Sequence, residues 1–376
     1  MSKYFCIGDS KGIARRSMKI YIGVNNIARK VRKIYMGDQS GIARLIYDPV
    51  RKISFSSNIE EISIDALHHY KNVGRASIGN YAIFAGGNDI DNIVTSNIDV
   101  FNREGVCVAQ LKYGDNAINI TGCNNDKYAL FAGGALDSFM NDGSRNISSH
   151  VMYISSDLTN GLMKNGSNLS YPTSSMSSCK FREYAIFAGG SSGSIYVAYW
   201  YRPYVTGYNN DLIKLQLPSL SSDRIGFALV NVQDKFMMAA GGTGDDGIIE
   251  VYDKNLTKNQ MSTKLSISGL VEGSTAGKYS LFKRSYVNGG ESIIDIFDEN
   301  LTKLTPIKSN ILSTKESLSD GDNAIFAYNK SLEIFDEDLT RTEINVEGNI
   351  ESLTFAGDDT IFLYCSNNKH SLLKSN

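Results

Sequence analysis

Histidine, tryptophan, proline and cysteine are all scarce in this chain of 376 residues, which has four His, one Trp, five Pro and five Cys. Each scarcity narrows what the chain can do. Cys6, Cys107, Cys123, Cys179 and Cys365 are odd in number, scattered and free of any CxxC spacing. That argues against a disulfide framework or a zinc site and for reduced, mostly buried thiols. His68 and His69 are adjacent, so in a strand their side chains point apart, and His370 lies among the last residues. No metal site is expected, and no cofactor. There is no run of 18 apolar residues, so no membrane insertion is expected. The N-terminus has no apolar signal region, so Sec-type export is not expected either. P-loop, zinc-ligand and nucleophile-elbow motifs are missing.

What the chain has in quantity is glycine and aromatics, with 34 Gly, 21 Tyr and 16 Phe. They are organised by one returning stretch. Tyr81-Ala82-Ile83-Phe84-Ala85-Gly86-Gly87 comes back at Tyr128 to Gly134 and at Tyr184 to Gly190, and more loosely at Phe236 to Gly242. Eroded copies without the glycine pair follow at Tyr279 to Phe282, Ala324 to Ala327 and Thr360 to Leu363. The position of Phe84 recurs at 131, 187, 239, 282, 326 and 362, a period typical of solenoids, arrays and propellers. Each copy is too short for a helix and apolar on both faces, so it reads as a strand covered on both sides. Blades of a β-propeller meet that condition. The retained glycine pairs point to a turn that needs positive φ or close backbone approach.

Third strands align after variable loops: Ile98-Asp99-Val100-Phe101, Ile249-Glu250-Val251-Tyr252, Ile294-Asp295-Ile296-Phe297 and Leu332-Glu333-Ile334-Phe335. Three run into matching turns, Asp253 to Thr257, Asp298 to Thr302 and Asp336 to Thr340, where the Asp can accept a bond from a backbone N–H two residues on. The acid within each third strand reads as a solvated outer position rather than a calcium ladder.

Residues 1–48 form a different module with a repeat of their own: Ile7-Gly8 to Ala14-Arg15, Ile22-Gly23 to Ala28-Arg29, and Met36-Gly37 to Ala43-Arg44. The pattern predicts three hairpins. Residues 1–52 carry 12 Lys/Arg against 3 Asp/Glu, net +9, and the remainder 26 against 37, net −11. The basic residues alternate with apolar ones and form no solvated run, which favours a protein partner over nucleic acid. Arg15, Arg29 and Arg44 are the candidate attachment residues. The domains expected are thus 1–48 and a propeller over 49–376. The segment 52–64 is an orphan strand, and the last repeat, from Ile350, lacks an outer strand. Pairing the two would close the ring and remove its edges.

The loops after the second strands differ most. Ala135 to Ser149 is polar. Ser191 to Val205 contains the only Trp and four Tyr within ten residues. Tyr196, Tyr199, Trp200, Tyr201, Arg202 and Tyr204 are the candidate contact face, since aromatics with a polar group suit contacts with proteins and sugars. The alternative is that they pack down as a lid on their blade.

The glycine-pair strand, third strand and Asp-x-x-Leu-Thr turn resemble the kelch propeller repeat, though without its regular Trp after the turn. Asn80 to Gly87 and Ile249 to Thr257 resemble kelch-like repeats of tail proteins from phages of Clostridium-type Firmicutes. Lys19 to Val31 resembles short repeats that head tail and baseplate proteins of the same phages. The resemblance implies an all-β chain, with a seven-bladed kelch-like β-propeller after a small β-hairpin repeat module. It implies a structural, non-enzymatic component of a phage tail, tail fibre or baseplate, or of a phage-tail-like bacteriocin. Such a component is made in the bacterial cytoplasm, located in the virion or particle and oligomeric there. Its partners would be other tail proteins, through residues 1–48, and a bacterial surface glycan or protein. Two alternatives stand beside it: an intracellular kelch-type interaction adaptor and a glycan-hydrolysing propeller enzyme. A kelch-type copper oxidase needs paired histidines that the sequence does not supply. A sialidase-like arginine triad would have to come from Arg75, Arg182, Arg224 and Arg284.

Overall fold

The computed structural model describes residues 71–89, 91–139, 145–164, 166–192, 201–243, 247–266, 269–284, 292–311, 313–357, 360–365 and 371–374 in full. Strands 6–8, 14–16, 21–24, 27–30, 34–37, 43–47 and 59–62, and residue 370, are described as backbone. All elements among them are strands. The chain divides into two compact units, Met1–Ile53 and Ser54–Asn376.

Among the described residues, the first unit holds three two-stranded hairpins, Cys6–Gly8 with Ala14–Arg16, Tyr21–Val24 with Ile27–Lys30, and Ile34–Gly37 with Ala43–Tyr47. Their registers are equivalent. Ile7 faces Arg15, Ile22 faces Arg29 and Met36 faces Arg44, while Gly8, Gly23 and Gly37 face Ala14, Ala28 and Ala43. The sequence repeat is therefore a repeat of pairing.

Among the described residues, the second unit contains seven four-stranded antiparallel sheets. Their first strands are Gly74–Ile78, Thr121–Asn124, Ser177–Phe181, Ala228–Val232, Val271–Ala276, Glu316–Ser319 and Ile350–Phe355. These strands touch in that cyclic order, and the last touches the first. The sheets are the blades of a β-propeller, numbered here 1 to 7. Hydroxyls sew the inner strands together. Thr121 Oγ1 donates to Met176 O at 3.2 Å, Ser178 Oγ to Gly122 O at 2.8 Å, Thr275 Oγ1 to Asn231 O at 2.7 Å and Ser274 Oγ to Leu318 O at 2.6 Å. The last sheet takes its outer strand from far away. Ile59–Ile62 pairs with His370–Lys374, with Ile62 opposite His370 and Ile59 opposite Leu373. That strand falls inside the 52–64 segment. Across the same seam Phe84 and Phe101 of blade 1 meet Phe362 and Tyr364 of blade 7, with ring centroids 4.7 to 5.5 Å apart.

The glycine pairs do what their recurrence suggested. Gly133 and Gly134 have φ of 69° and 110°. A Cβ on Gly133 would lie 1.9 Å from Thr173 O, in the loop entering the next blade. Gly134 N donates to that same carbonyl at 3.0 Å, as Gly87 N does to Ala117 O and Gly190 N to Arg224 O. Each pair thus mates one blade with the loop that leads into the next. The third-to-fourth-strand turns do a related job. The Asp253 side chain accepts from Asn255 N and Thr257 N, and Asp298 and Asp336 repeat this. The turn leucines Leu158, Leu212, Leu256, Leu301 and Leu339 all have φ near +60°, a region that costs a non-glycine residue about 1–2 kcal/mol. Each packs onto a core shared by two blades, and that burial offsets the strain.

One expectation is overturned. The third-strand acids Asp99, Glu250, Asp295 and Glu333 are buried, not solvated. Both faces of a third strand lie against neighbours, so an acid there has to be paired. Glu250 accepts from Ser221 N at 2.8 Å, Asp295 from Ser266 N at 2.5 Å and Glu333 from Asn310 N at 3.0 Å. Each acid so anchors the loop entering its own blade. The cation comes from the residue just after the Leu-Thr turn. Lys258 lies 2.9 Å from Glu250, Lys303 3.1 Å from Asp295 and Arg341 3.5 Å from Glu333. The repeat is therefore acid strand, Asp-x-x-Leu-Thr turn, then Lys or Arg. A second difference concerns 135–149. Ala135–Phe139 pairs with Arg145–Ile147 on one side and Ala117–Ile118 on the other, as the centre of a three-stranded sheet and not an irregular loop.

Candidate binding face

Within a four-stranded antiparallel blade, the loop between strands two and three opens on the same side of the ring as the loop to the next blade. On that side, between blades 2 and 3, two loops meet. One joins Asn160–Leu162 to Ser177–Phe181 and carries Tyr171. The other joins Tyr184–Ala188 to Val205–Tyr208 and carries Tyr201, Arg202 and Tyr204. Tyr171 and Tyr204 stack with centroids 4.3 Å apart and planes 7° from parallel. The Arg202 guanidinium lies 5.7 Å from the Tyr171 ring centroid, and its Nε donates to Ser192 Oγ at 2.7 Å. Tyr171 is 43% exposed. Its hydroxyl, hydrogen-bonded to that of Tyr204, pushes Tyr204 above the usual phenol range, and the nearby Asp223 adds to the push while Arg202 opposes it.

Of the six residues expected at this face, Tyr201, Arg202 and Tyr204 are brought to it. Tyr196, Tyr199 and Trp200 lie outside the described residues. Tyr171 was missed. Its only local signal is the Tyr171-Pro172 pair, which matches Pro203-Tyr204 in composition but sits in another loop. The hairpin of blade 2 adds Phe139, 57% exposed, with the Arg145 guanidinium 4.9 Å from its ring centroid. Arg15, Arg29 and Arg44 occupy equivalent registers in the first unit, and their side chains fall outside the described residues.

The four arginines of a sialidase-like site do not share one surrounding. Arg182 lies in an exposed turn of blade 3, where its Nη1 donates to Lys254 O at 3.0 Å. Arg224 is wholly buried and paired with Glu250. Arg284 is exposed at the end of Tyr279–Arg284. Arg75 alone reaches towards the axis. It pairs with Glu316 and donates from Nη2 to Ser317 O at 3.2 Å, crossing from blade 1 to blade 6. Ser317 Oγ donates to Glu272 of blade 5 at 2.7 Å. Burial raises the Glu272 carboxyl above its ordinary range, with Ser317 and Arg75 opposing. His150, just before the third strand of blade 2, pairs through Nδ1 with Asp115 Oδ2 at 2.6 Å in the loop entering that blade. No group of three or more His, Cys, Asp or Glu able to hold a metal occurs among the described residues. Cys107, Cys123, Cys179 and Cys365 are all free thiols.

No family model matches the chain, and no curated protein does. Among solved structures, one of a streptogramin B lyase matches over 85% of this chain and 98% of its own length, with TM-score 0.55 and 9% identity. At that identity the likeness speaks for the fold: this chain is a β-propeller, built on a repeat whose glycine pairs and buried acids couple each blade to the loops beside it.

Proposed function

We propose that this chain is a non-catalytic binding component of a phage tail or phage-tail-like particle, in which residues 1–48 dock to the particle and the propeller contacts the cell surface or a neighbouring tail protein. The observation that carries the reading is the pairing of two unlike units in one chain. One is a basic unit of three register-equivalent hairpins, the other an acidic propeller. Isolated two-stranded hairpins are marginal in water, so three of them with net +9 over residues 1–52 suit a segment that gains its stability on a partner. The propeller offers the aromatic face at blades 2 and 3 for the second contact.

Cryo-EM of purified particles tests the role directly. The expected result is density for the propeller at the tail tip or fibre, joined through its N-terminal unit. A chain found only free in the cytosol would favour the adaptor reading, and turnover of a glycan by the purified chain would favour the enzyme reading. Trp200→Ala tests the face. A buried contact aromatic is worth about 2 kcal/mol or more, about thirty-fold in affinity. Attachment should weaken by that factor with the melting temperature unchanged. Unfolding of the variant would mean that the aromatic loop is a lid.

A further inference from the structure

We propose that Tyr171 and Tyr204 form a preorganised stacking platform for a neutral pyranose unit, with Arg202 and Asp223 serving its hydroxyls. The proposal rests on the surface-binding reading above and names the ligand of its aromatic face.

Its ground is rigidity combined with chemistry. A single exposed tyrosine needs no explanation. Here two rings are held parallel on two loops that are tied to each other and to the glycine pairs. Ser174 and Ser191 exchange backbone bonds at 2.8 and 2.9 Å. Gly189 N donates to Tyr204 O, Arg202 N to Gly190 O, and Leu220 N to Pro203 O, all within 3.0 Å. Gly134 N fixes Thr173 O, and Thr173 Oγ1 returns to Tyr171 O at 2.9 Å. Two of only five prolines, Pro172 and Pro203, directly adjoin the two rings. Proline narrows both its own φ and the conformation of the residue before it. The platform is therefore paid for before any ligand arrives, and preorganisation of that kind cuts the entropic cost of binding.

The polar groups at its edge choose the ligand. The Arg202 guanidinium and two phenol hydroxyls stand at one exposed ring, and the Asp223 carboxylate acts electrostatically on its stacked partner Tyr204. A pyranose presents an apolar C–H face, which suits the ring. It also presents vicinal hydroxyls that both donate and accept, which suits an Arg and an Asp together. An anionic ligand would be favoured by Arg202 but opposed by Asp223, and an extended peptide would not need a flat exposed ring flanked by both charges.

The test uses the full chain and saturation-transfer difference NMR with the methyl pyranosides of glucose, galactose, rhamnose and N-acetylglucosamine, with methyl glucuronide as the anionic probe. Ring protons of at least one neutral probe should saturate. Tyr171→Ala should weaken that binding about tenfold, the equivalent of about 1.4 kcal/mol of stacking, without moving the melting temperature. Tyr171→Phe should keep it, and Asp223→Asn should weaken neutral sugars while improving the glucuronide. Binding of no neutral probe, binding of the glucuronide alone, or equal binding by Tyr171→Ala would each overturn the proposal. The particle location is read separately. A chain present in the particle that fails the sugar test overturns the platform and leaves the tail role, whereas sugar binding by a chain absent from particles does the reverse.

Discussion

Arg224 and Glu250 hold opposite charges with no exposed surface on either side chain. Glu250 keeps two more donors, Ser221 N and Lys258. Replacing one member of such a pair strands the other in a low-dielectric interior, at a cost of about 3–5 kcal/mol. Arg224→Met should therefore destabilise the chain by that amount in urea unfolding. Adding Glu250→Leu should recover much of the loss, and a double variant as unstable as the single would contradict the pairing. Lys283 is buried beside Glu333, 3.4 Å away. Burial brings its ammonium down to about 8 although Glu333 pulls the other way. The unfolded chain holds that proton up to about 10.5, so between about pH 8 and pH 10.5 the unfolded state binds a proton that the folded state has lost. Stability from this residue rises with pH across that window, and below it the folded state bears the full burial cost. In Lys283→Met the rise should vanish, measured as the difference in unfolding free energy between variant and wild type across the window. These residues were the hardest to read from sequence. Ile-Glu-Val-Tyr has the alternation of a strand with one wet face, and only the Lys or Arg placed directly after Leu-Thr betrays that the acid is buried.

At the scale of the element, the glycine pair is a joint. Gly133→Ala would put a Cβ against Thr173 O, break the Gly134 bond to the same oxygen and force an alanine to φ +69°. Strain of about 1–2 kcal/mol and a lost hydrogen bond of about 1 kcal/mol give an expected cost of about 2–3 kcal/mol. Gly166→Ala is the control, because φ there is +94° but nothing lies within 4 Å of the added Cβ. It should cost only the strain, and equal thermal shifts in the two variants would show that the contact with Thr173 adds nothing. The joint was legible because four copies of a locally costly pair demand a common cause. The first strands were legible too. They begin at Gly74, Thr121, Ser177, Ala228, Val271, Glu316 and Ile350, each directly before a copy of the returning stretch. Tyr171 was not legible, since nothing local couples it to Tyr204, 33 residues later. Only the ring brings their loops together.

For the whole molecule the decisive pairing is the one of longest range. Ile59–Ile62 completes the sheet that ends the chain, and the four aromatic rings of Phe84, Phe101, Phe362 and Tyr364 fill the same seam. Removing residues 1–64 should uncover an edge on blade 7 and lower the melting temperature by well over that of a loop deletion. Removing residues 1–47 leaves the strand in place and should shift it little. Equal melting of the two truncations would refute a fastening role for 59–62. The seam was legible from bookkeeping of strands alone, an outer strand missing at one end and a spare strand at the other.

The same fastening has a mechanical meaning. Along the chain, the first described strand after residue 53 is the one that locks the ring. A pull transmitted from the N-terminal unit therefore arrives first at four residue pairs in blade 7, ahead of any of the contiguous blades. Under such a pull, failure would begin by stripping this strand, and the remaining six blades would still carry their own hydrogen-bonded sheets. The strand is thus a latch, and the force that opens it sets how much load the ring can bear.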